Sequence, residues 1–250
     1  MNNIGKEFLE QTKYTKMKGK SDQEKGVKAP IIDMPFDQEA EMIDLPDHSE
    51  VETNTNLHDL ITNRRSVREY SKESLTLHEL SYLLWTTQGV KEILEPMPGY
   101  KVTLRTVPSA GARHPFETFL LINKVEGIKP GLYRYIASKH KLIEFNVTEG
   151  INKEVSKACL GQRFIEKSAV TFIWVADIYK TIWRYKERSY RYALLDAGHV
   201  CQNLYLSAST INSGVCAIAA YDDNEMNRVL ELDGENQFTI YLATLGKVRK

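Results

Sequence analysis

The chain has 250 residues, 42% of them hydrophobic, and its 33 Lys and Arg balance 33 Asp and Glu. That hydrophobic content can bury a sizeable core, which excludes a wholly disordered chain. A formal charge of zero gives no global attraction to nucleic acid or to an anionic membrane, so any anion site must come from a local cluster.

The opening MNNIGKEFLEQTKYTKMKGK lacks the apolar core of a signal peptide. No apolar run is long enough to span a bilayer, so a cytoplasmic setting is expected. Residues 1–56 are polar and charge-rich, with short apolar groups only around Ile31 and Met42. They read as an extended arm ahead of one domain over 57–250. Such an arm wraps a neighbour or stays disordered.

From Leu57 the pattern tightens. Leu57, Leu60 and Ile61 suggest a short helix ending near Asn63. Thr76 and Glu79 have capping-box spacing, Leu77, Leu80 and Leu84 share a face, and Gly89 can close that second helix. Residues 116–122 read as a buried strand. Residues 131–136 and 142–145 alternate around a polar turn, as a hairpin does. Residues 151–160 look helical and 169–176 form a continuous apolar strand. The longest helix is expected over 189–212. It is apolar nearly all round its middle, which places it in the interior or at a subunit interface. Gly214 is expected to end it in a left-handed conformation. Strands over 215–220 and 238–245 flank a helix over 223–232. The fold class is α+β.

Three segments carry candidate chemistry. Arg64, Arg65, Ser66 and Arg68 in TNRRSVREY are the densest anion-binding candidate, because a guanidinium fork and a hydroxyl can all donate to one phosphate. The alternative is a solvated face paired with Glu69 and Glu73. At the other end, Lys247 and Arg249 follow Gly246 and alternate, so both can face one side. In VPSAGARHPFE, Pro108 fixes a turn, Ser109 offers a hydroxyl, and Ala110 and Gly111 let backbone approach a flat ligand. Arg113 and His114 add polar groups nearby. Neither a P-loop nor a GxGxxG fingerprint is present. Cys159, Cys201 and Cys216 are widely spaced with no CxxC pair, so they read as reduced packing residues, not as a disulfide or zinc framework.

Together these pieces resemble the nitroreductase-like flavoproteins, in particular the SagB-type dehydrogenase branch that includes the azoline oxidases. The matching stretches are RRSVREY at 64–70, LSYLLWTTQGV at 80–90, PSAGARHPFE at 108–117, GLYRY at 131–135, YRYALLDAGHVCQNLYLSA at 190–208 and LATLGK at 242–247. The resemblance implies a mostly antiparallel sheet surrounded by helices, in a homodimer built on the long helix, with FMN at the subunit interface. By motif position, Arg64, Arg65, Ser66 and Arg68 bind the FMN phosphate and ribityl chain, joined by Lys247 and Arg249. Pro108, Ser109, Ala110 and Gly111 line the isoalloxazine ring from the partner subunit. Ala217, Ile218, Ala219 and Ala220 run beside flavin N5 and O4.

One departure bears on chemistry. Azoline oxidases carry a Lys-Tyr pair where this chain reads Arg184-Tyr185. Arginine stays protonated, so it cannot serve as a general base. Lys186 substitutes only if the backbone turns it inward. Tyr185 and Arg184 are therefore the candidate catalytic residues, with Arg113 or His114 near the opening. The expected activity is hydride transfer through flavin N5, in one of two versions. One is a peptide-azoline dehydrogenase beside a cyclodehydratase partner, and the other is an NAD(P)H-dependent nitro or quinone reductase. A flavin-binding scaffold with little turnover is the remaining alternative.

Overall fold

The computed structural model describes residues 3–53 and 55–249. The chain opens with helix α1 (Ile4–Gln11) and then runs as irregular backbone to a short strand, β1 (Met42–Asp44). This stretch lies along its own chain. Met34 is buried, and β1 pairs with the strand over 141–146, so the sheet recruits its edge from one of the short apolar groups of the otherwise polar arm.

Helix α2 (Leu57–Asn63) starts on an Asn56 cap, whose side chain accepts from the His58 N–H. Helix α3 (Leu77–Gln88) carries the expected capping box, with Thr76 and Glu79 each satisfying the other's backbone N–H. Gly89 ends α3 in extended backbone, not a left-handed turn. A Cβ there would stand 2.5 Å from Trp85. Strands β2 (Val90–Met97) and β3 (Tyr100–Arg105) form a separate antiparallel hairpin. The sequence reading found nothing there. Pro96, Pro98 and Gly99 interrupt the alternation, and proline is tolerated because an isolated ribbon leaves N–H groups facing solvent.

The sheet follows: β4 (Phe116–Ile122), β5 (Gly131–Ile136) and β6 (Lys141–Asn146), then helices α4 (Ile151–Ala158) and α5 (Phe164–Lys167), and strand β7 (Val170–Asp177). Helix α6 (Tyr179–Tyr185) leads into the long α7 (Ser189–Thr210). Strand β8 (Ser213–Ile218), helix α8 (Asp223–Val229) and strand β9 (Gln237–Lys247) complete the chain. The seven strands order as β1-β6-β5-β4-β7-β9-β8, and each neighbouring pair is antiparallel.

Strand β7 shows why a continuous apolar run suits this position. Phe172 and Trp174 face the cluster formed with Leu80 and Leu84 of α3 and Val200 and Leu204 of α7. Ile173 and Val175 face the opposite cluster, with Val155 of α4 and Met226 of α8. Side chains alternate across a strand, so a strand covered on both faces must be apolar throughout. Each such fully buried side chain contributes about 1.5–3 kcal/mol. Cys159, Cys201 and Cys216 are free and buried. Burial pushes the Cys159 and Cys201 thiols up to about 12.

The end of α7 corrects one expectation. Asn212, at φ 54°, takes the left-handed turn. Gly214 lies within β8, where a Cβ would stand 2.6 Å from Val67. Glycine is needed there for close approach, not for handedness.

Candidate functional site

The segment RRSVREY leaves α2 in extended backbone and runs beside β8. Ser66 bridges to Val215, and the Val67 N–H donates to the Val215 carbonyl at 2.8 Å. Tyr70 seals the far end, its hydroxyl 2.7 Å from the Val67 carbonyl and 2.8 Å from Thr244 Oγ1. This anchoring leaves Arg64, Arg65 and Arg68 exposed. Among the described residues none of the three pairs with a carboxylate. Glu69 instead faces Arg249 at 3.8 Å, and Glu73 pairs with neither. Of the solvated, charge-paired face weighed from sequence, the fold shows the solvent exposure without the pairs to Glu69 and Glu73.

Tyr205 of α7 ties this segment to β8. Its hydroxyl lies 2.9 Å from Ser66 Oγ and accepts from the Ala217 N–H at 2.9 Å. The Arg64 guanidinium sits 5.3 Å from its ring centre. A cavity of about 200 Å³ opens here between Asn63, Arg65, Tyr205, Asn212 and Val215. Sequence reasoning missed Tyr205, although it lies within a quoted motif. The available signal was a hydroxyl on an otherwise apolar helix face, which needs a partner when buried.

Strand β8 carries Ala217 and the buried Ile218 to this place, and Ala219 and Ala220 continue as exposed loop. The Ala220 carbonyl accepts from Gln162 Nε2 at 2.8 Å. Lys247 already has partners. Its ammonium is buried, bonded to Glu79 Oε1 and to the Ile211 carbonyl. Both tail cations expected beside the arginine cluster are thus occupied, Lys247 by Glu79 and Arg249 by Glu69.

The second group gathers around the loop after β3. Ser109 Oγ donates to Asp196 Oδ2 at 2.7 Å and the Ala110 N–H donates to the same oxygen at 3.2 Å. Asp196 is buried on α7, and burial raises its pKa against the pull of those two hydrogen bonds. An aspartate inside an apolar helix needs such donors, so it too could have been singled out from sequence. Gly111 has φ 59°, and a Cβ there would stand 2.3 Å from Tyr185 Oη and 3.2 Å from Arg184 Nη1. The fold thereby sets both candidate catalytic residues directly against the 108–111 loop.

Arg113 and His114 do not reach an opening. Both are buried; Arg113 donates to the Lys180 carbonyl and to the Tyr100 hydroxyl. Burial, then the neighbouring Arg105 and Arg113, depress His114 to about 3, which leaves it neutral at ordinary pH. Lys186 is not turned inward either. Its ammonium donates to the carbonyls of Met17 at 3.1 Å, Lys18 at 2.8 Å and Gly19.

The two groups sit apart. Asp196 and Tyr205 are separated by nine residues of one helix, about 13 Å along the axis and roughly half a turn around it. A cavity of about 630 Å³ is lined by Pro130, Val147, Gly150 and Ile151 and includes none of the candidate residues. No group of three or more metal-ligating side chains occurs among the described residues, and no described helix is long and apolar enough to cross a membrane.

A family model described as "Nitroreductase family" matches residues 61–247. The "Putative nitroreductase MJ1384" of Methanocaldococcus jannaschii is 35% identical over 205 residues, covering 82% of this chain and 96% of that protein. The "Trifolitoxin operon protein TfxC" of Rhizobium leguminosarum bv. trifolii is 27% identical over 75% of this chain and 54% of its own length. The solved E. coli microcin synthetase McbBCD complex, with truncated pro-MccB17 bound, aligns with a TM-score of 0.60 at 20% identity. That match covers 99% of this chain and 92% of the solved chain. The resemblance to the SagB-type branch is borne out by matches of this kind.

Proposed function

The chain belongs to the nitroreductase family, and we propose that it is an FMN-dependent oxidoreductase that passes a hydride through flavin N5. The observation that carries this reading is the donor set at 64–68. Three guanidinium groups without carboxylate partners stand beside a hydroxyl already fixed by Tyr205. That is the chemistry a phosphate monoester dianion requires. Arg64, Arg65, Ser66 and Arg68 would hold the FMN phosphate and ribityl chain, and Ala217 to Ala220 would line the ring. Lys247 and Arg249 would contribute only by exchanging Glu79 and Glu69 for phosphate.

The 108–111 loop and the arginine segment lie at different ends of α7, so a second copy of the chain would complete each site. Leu194 and Leu195 of α7, with Leu57 and Ile61 of α2, are exposed apolar side chains suited to that contact. Bound FMN supplies a two-electron centre that accepts or donates hydride. Tyr185 would move the accompanying proton, and Arg184 would stabilise negative charge on substrate or product.

The placement of Lys186 favours the reductase version, with NAD(P)H as donor and a quinone or nitroaromatic as acceptor. In reduction Tyr185 need only donate a proton to the acceptor oxygen. Azoline dehydrogenation requires a base to take the ring proton, and Lys186 is held by backbone carbonyls while Lys180 is buried against Glu117. Full-length alignment with a microcin synthetase chain keeps the peptide version, with its cyclodehydratase partner, as the second reading.

The absorbance spectrum of the purified protein tests the cofactor. Oxidised-flavin bands with FMN released on denaturation are expected. A colourless protein that takes up no added FMN would end the proposal. Arg64→Ala with Arg65→Ala should lose FMN retention. NADPH oxidation coupled to a quinone supports the reductase, flavin reduction by an azoline peptide supports the dehydrogenase, and tight flavin reduced by neither supports a scaffold.

A further inference from the structure

We propose that Lys186 is a positioning residue, whose grip on residues 17–19 holds Tyr185 against the 108–111 loop and makes the N-terminal segment part of the catalytic apparatus. The inference rests on the reading of Tyr185 as the proton-handling group and adds the device that fixes it.

Three independent observations meet at this residue. The first is its backbone. Lys186 follows Tyr185 directly and has φ 51° with ψ −141°, a combination that only glycine adopts without strain. A lysine stays there only if its surroundings hold it. The second observation supplies the hold, since its ammonium donates to three successive carbonyls, those of Met17, Lys18 and Gly19. Three donors on one ammonium are thereby all used, with no carboxylate involved.

The third is that the grip extends beyond one side chain. Arg188 donates to the Thr12 carbonyl and Arg191 to the Leu9 carbonyl and Thr12 Oγ1. Tyr14 and Tyr192 share a hydroxyl contact at 2.8 Å, and Tyr192 packs edge-on against Tyr185 at 5.0 Å. On the other side of Tyr185, the Gln23 N–H donates to the Trp183 carbonyl at 2.9 Å and Trp183 Nε1 donates to the Val27 carbonyl at 2.8 Å. Residues 9–27 therefore enclose the turn that presents Tyr185 to Gly111. Release of Lys186 would let that strained turn relax, and the tyrosine with it.

Hydrogen exchange followed by mass spectrometry on the protein as purified tests this without turnover. In Lys186→Met, faster exchange is expected both in residues 9–20 and in residues 109–113, with the strand amides of β4 and β7 unchanged. Lys186→Arg, which keeps a cationic donor, should restore both regions. Faster exchange at 9–20 alone, or no change in either, would overturn the proposal. If Lys186→Met loosens the strands as well, Lys186→Gly, which tolerates the backbone geometry but lacks the grip, is judged by the same criteria. With FMN saturating, Lys186→Met should lower kcat about tenfold at unchanged FMN affinity. An unchanged kcat alongside a loosened 109–113 would refute the catalytic consequence. Wild-type protein that binds no flavin would refute the function proposed above, while the exchange measurements would still decide the role of Lys186.

Discussion

Two clusters of positive charge in this molecule are treated in opposite ways. Arg134 and Lys180 are buried on either side of Glu117, at 2.9 and 2.5 Å. Arg134 Nη1 and Nη2 also reach the carbonyls of Pro35 and Met34, and Lys180 Nζ that of Ile32, while Arg134 Nε is buried without a partner among the described residues. Arg64, Arg65 and Arg68 are exposed, and no described carboxylate meets them. Buried charges must be paired and hydrogen-bonded or the fold is lost, whereas exposed charges cost little to leave open. The first cluster is a fastening for the N-terminal segment. The second is the set proposed above to take an external anion as its partner.

The largest effect expected from this contrast is at the fastening. Glu117→Ala leaves two buried cations without their carboxylate and should destabilise the fold by about 3–5 kcal/mol, read as a lower urea midpoint. A loss below about 1 kcal/mol would mean that the cluster is not the fastening described. By contrast, Arg64→Ala with Arg65→Ala should change stability by no more than about 0.5 kcal/mol, as surface substitutions do. It should nonetheless weaken FMN binding by about 100-fold, measured by fluorescence titration, if each charge-assisted hydrogen bond contributes about 1.5 kcal/mol.

Acid separates the buried from the open charges further. Burial alone would push Glu117 up, but Lys180 and Arg134 overcome it and hold the carboxyl near 2, below its ordinary 4.5. Its contribution to stability is complete above pH 4.5 and is lost as pH falls toward 2. His114 acts higher. The unfolded chain takes up that proton near 6.5 but the folded chain only near 3, so stability falls as pH drops through that interval. Between pH 6.5 and 5 the loss is expected to be about 1–2 kcal/mol, and His114→Gln should remove it. Urea midpoints at both pH values measure the difference, and equal slopes in the two proteins would refute the assignment. The smallest effect expected is that of Tyr205→Phe. It strands the Ala217 N–H and frees Ser66, for about 1 kcal/mol of stability and a severalfold weaker grip on FMN.

Local signals in the sequence located most regular elements. The Thr76–Glu79 box fixed the start of α3 because both partners lie within one turn. The unbroken apolar run of β7 was legible because burial on both faces demands apolar residues at every position, and α7 was legible by its hydrophobic length although Leu194 and Leu195 stay exposed. The β2–β3 hairpin was not legible, because β2 is exposed beyond Val90 and what β3 buries is polar, Thr103 and Arg105, so no apolar alternation marks either strand.

The candidate site divides along the same line. Composition and motif order pointed to Arg64, Arg65, Ser66 and Arg68, to the 108–111 loop and to Tyr185, since those residue types carry the chemistry wherever they fold. Partnership was decided only in three dimensions. Whether Lys247 meets Glu79, whether Lys186 faces Tyr185 or the carbonyls of residues 17–19, and which atoms Tyr205 and Asp196 hold depend on contacts between residues far apart in the chain. A sequence specifies which charges exist. Only the fold, by bringing distant segments within hydrogen-bonding reach, settles which of them are already satisfied and which are left for a ligand.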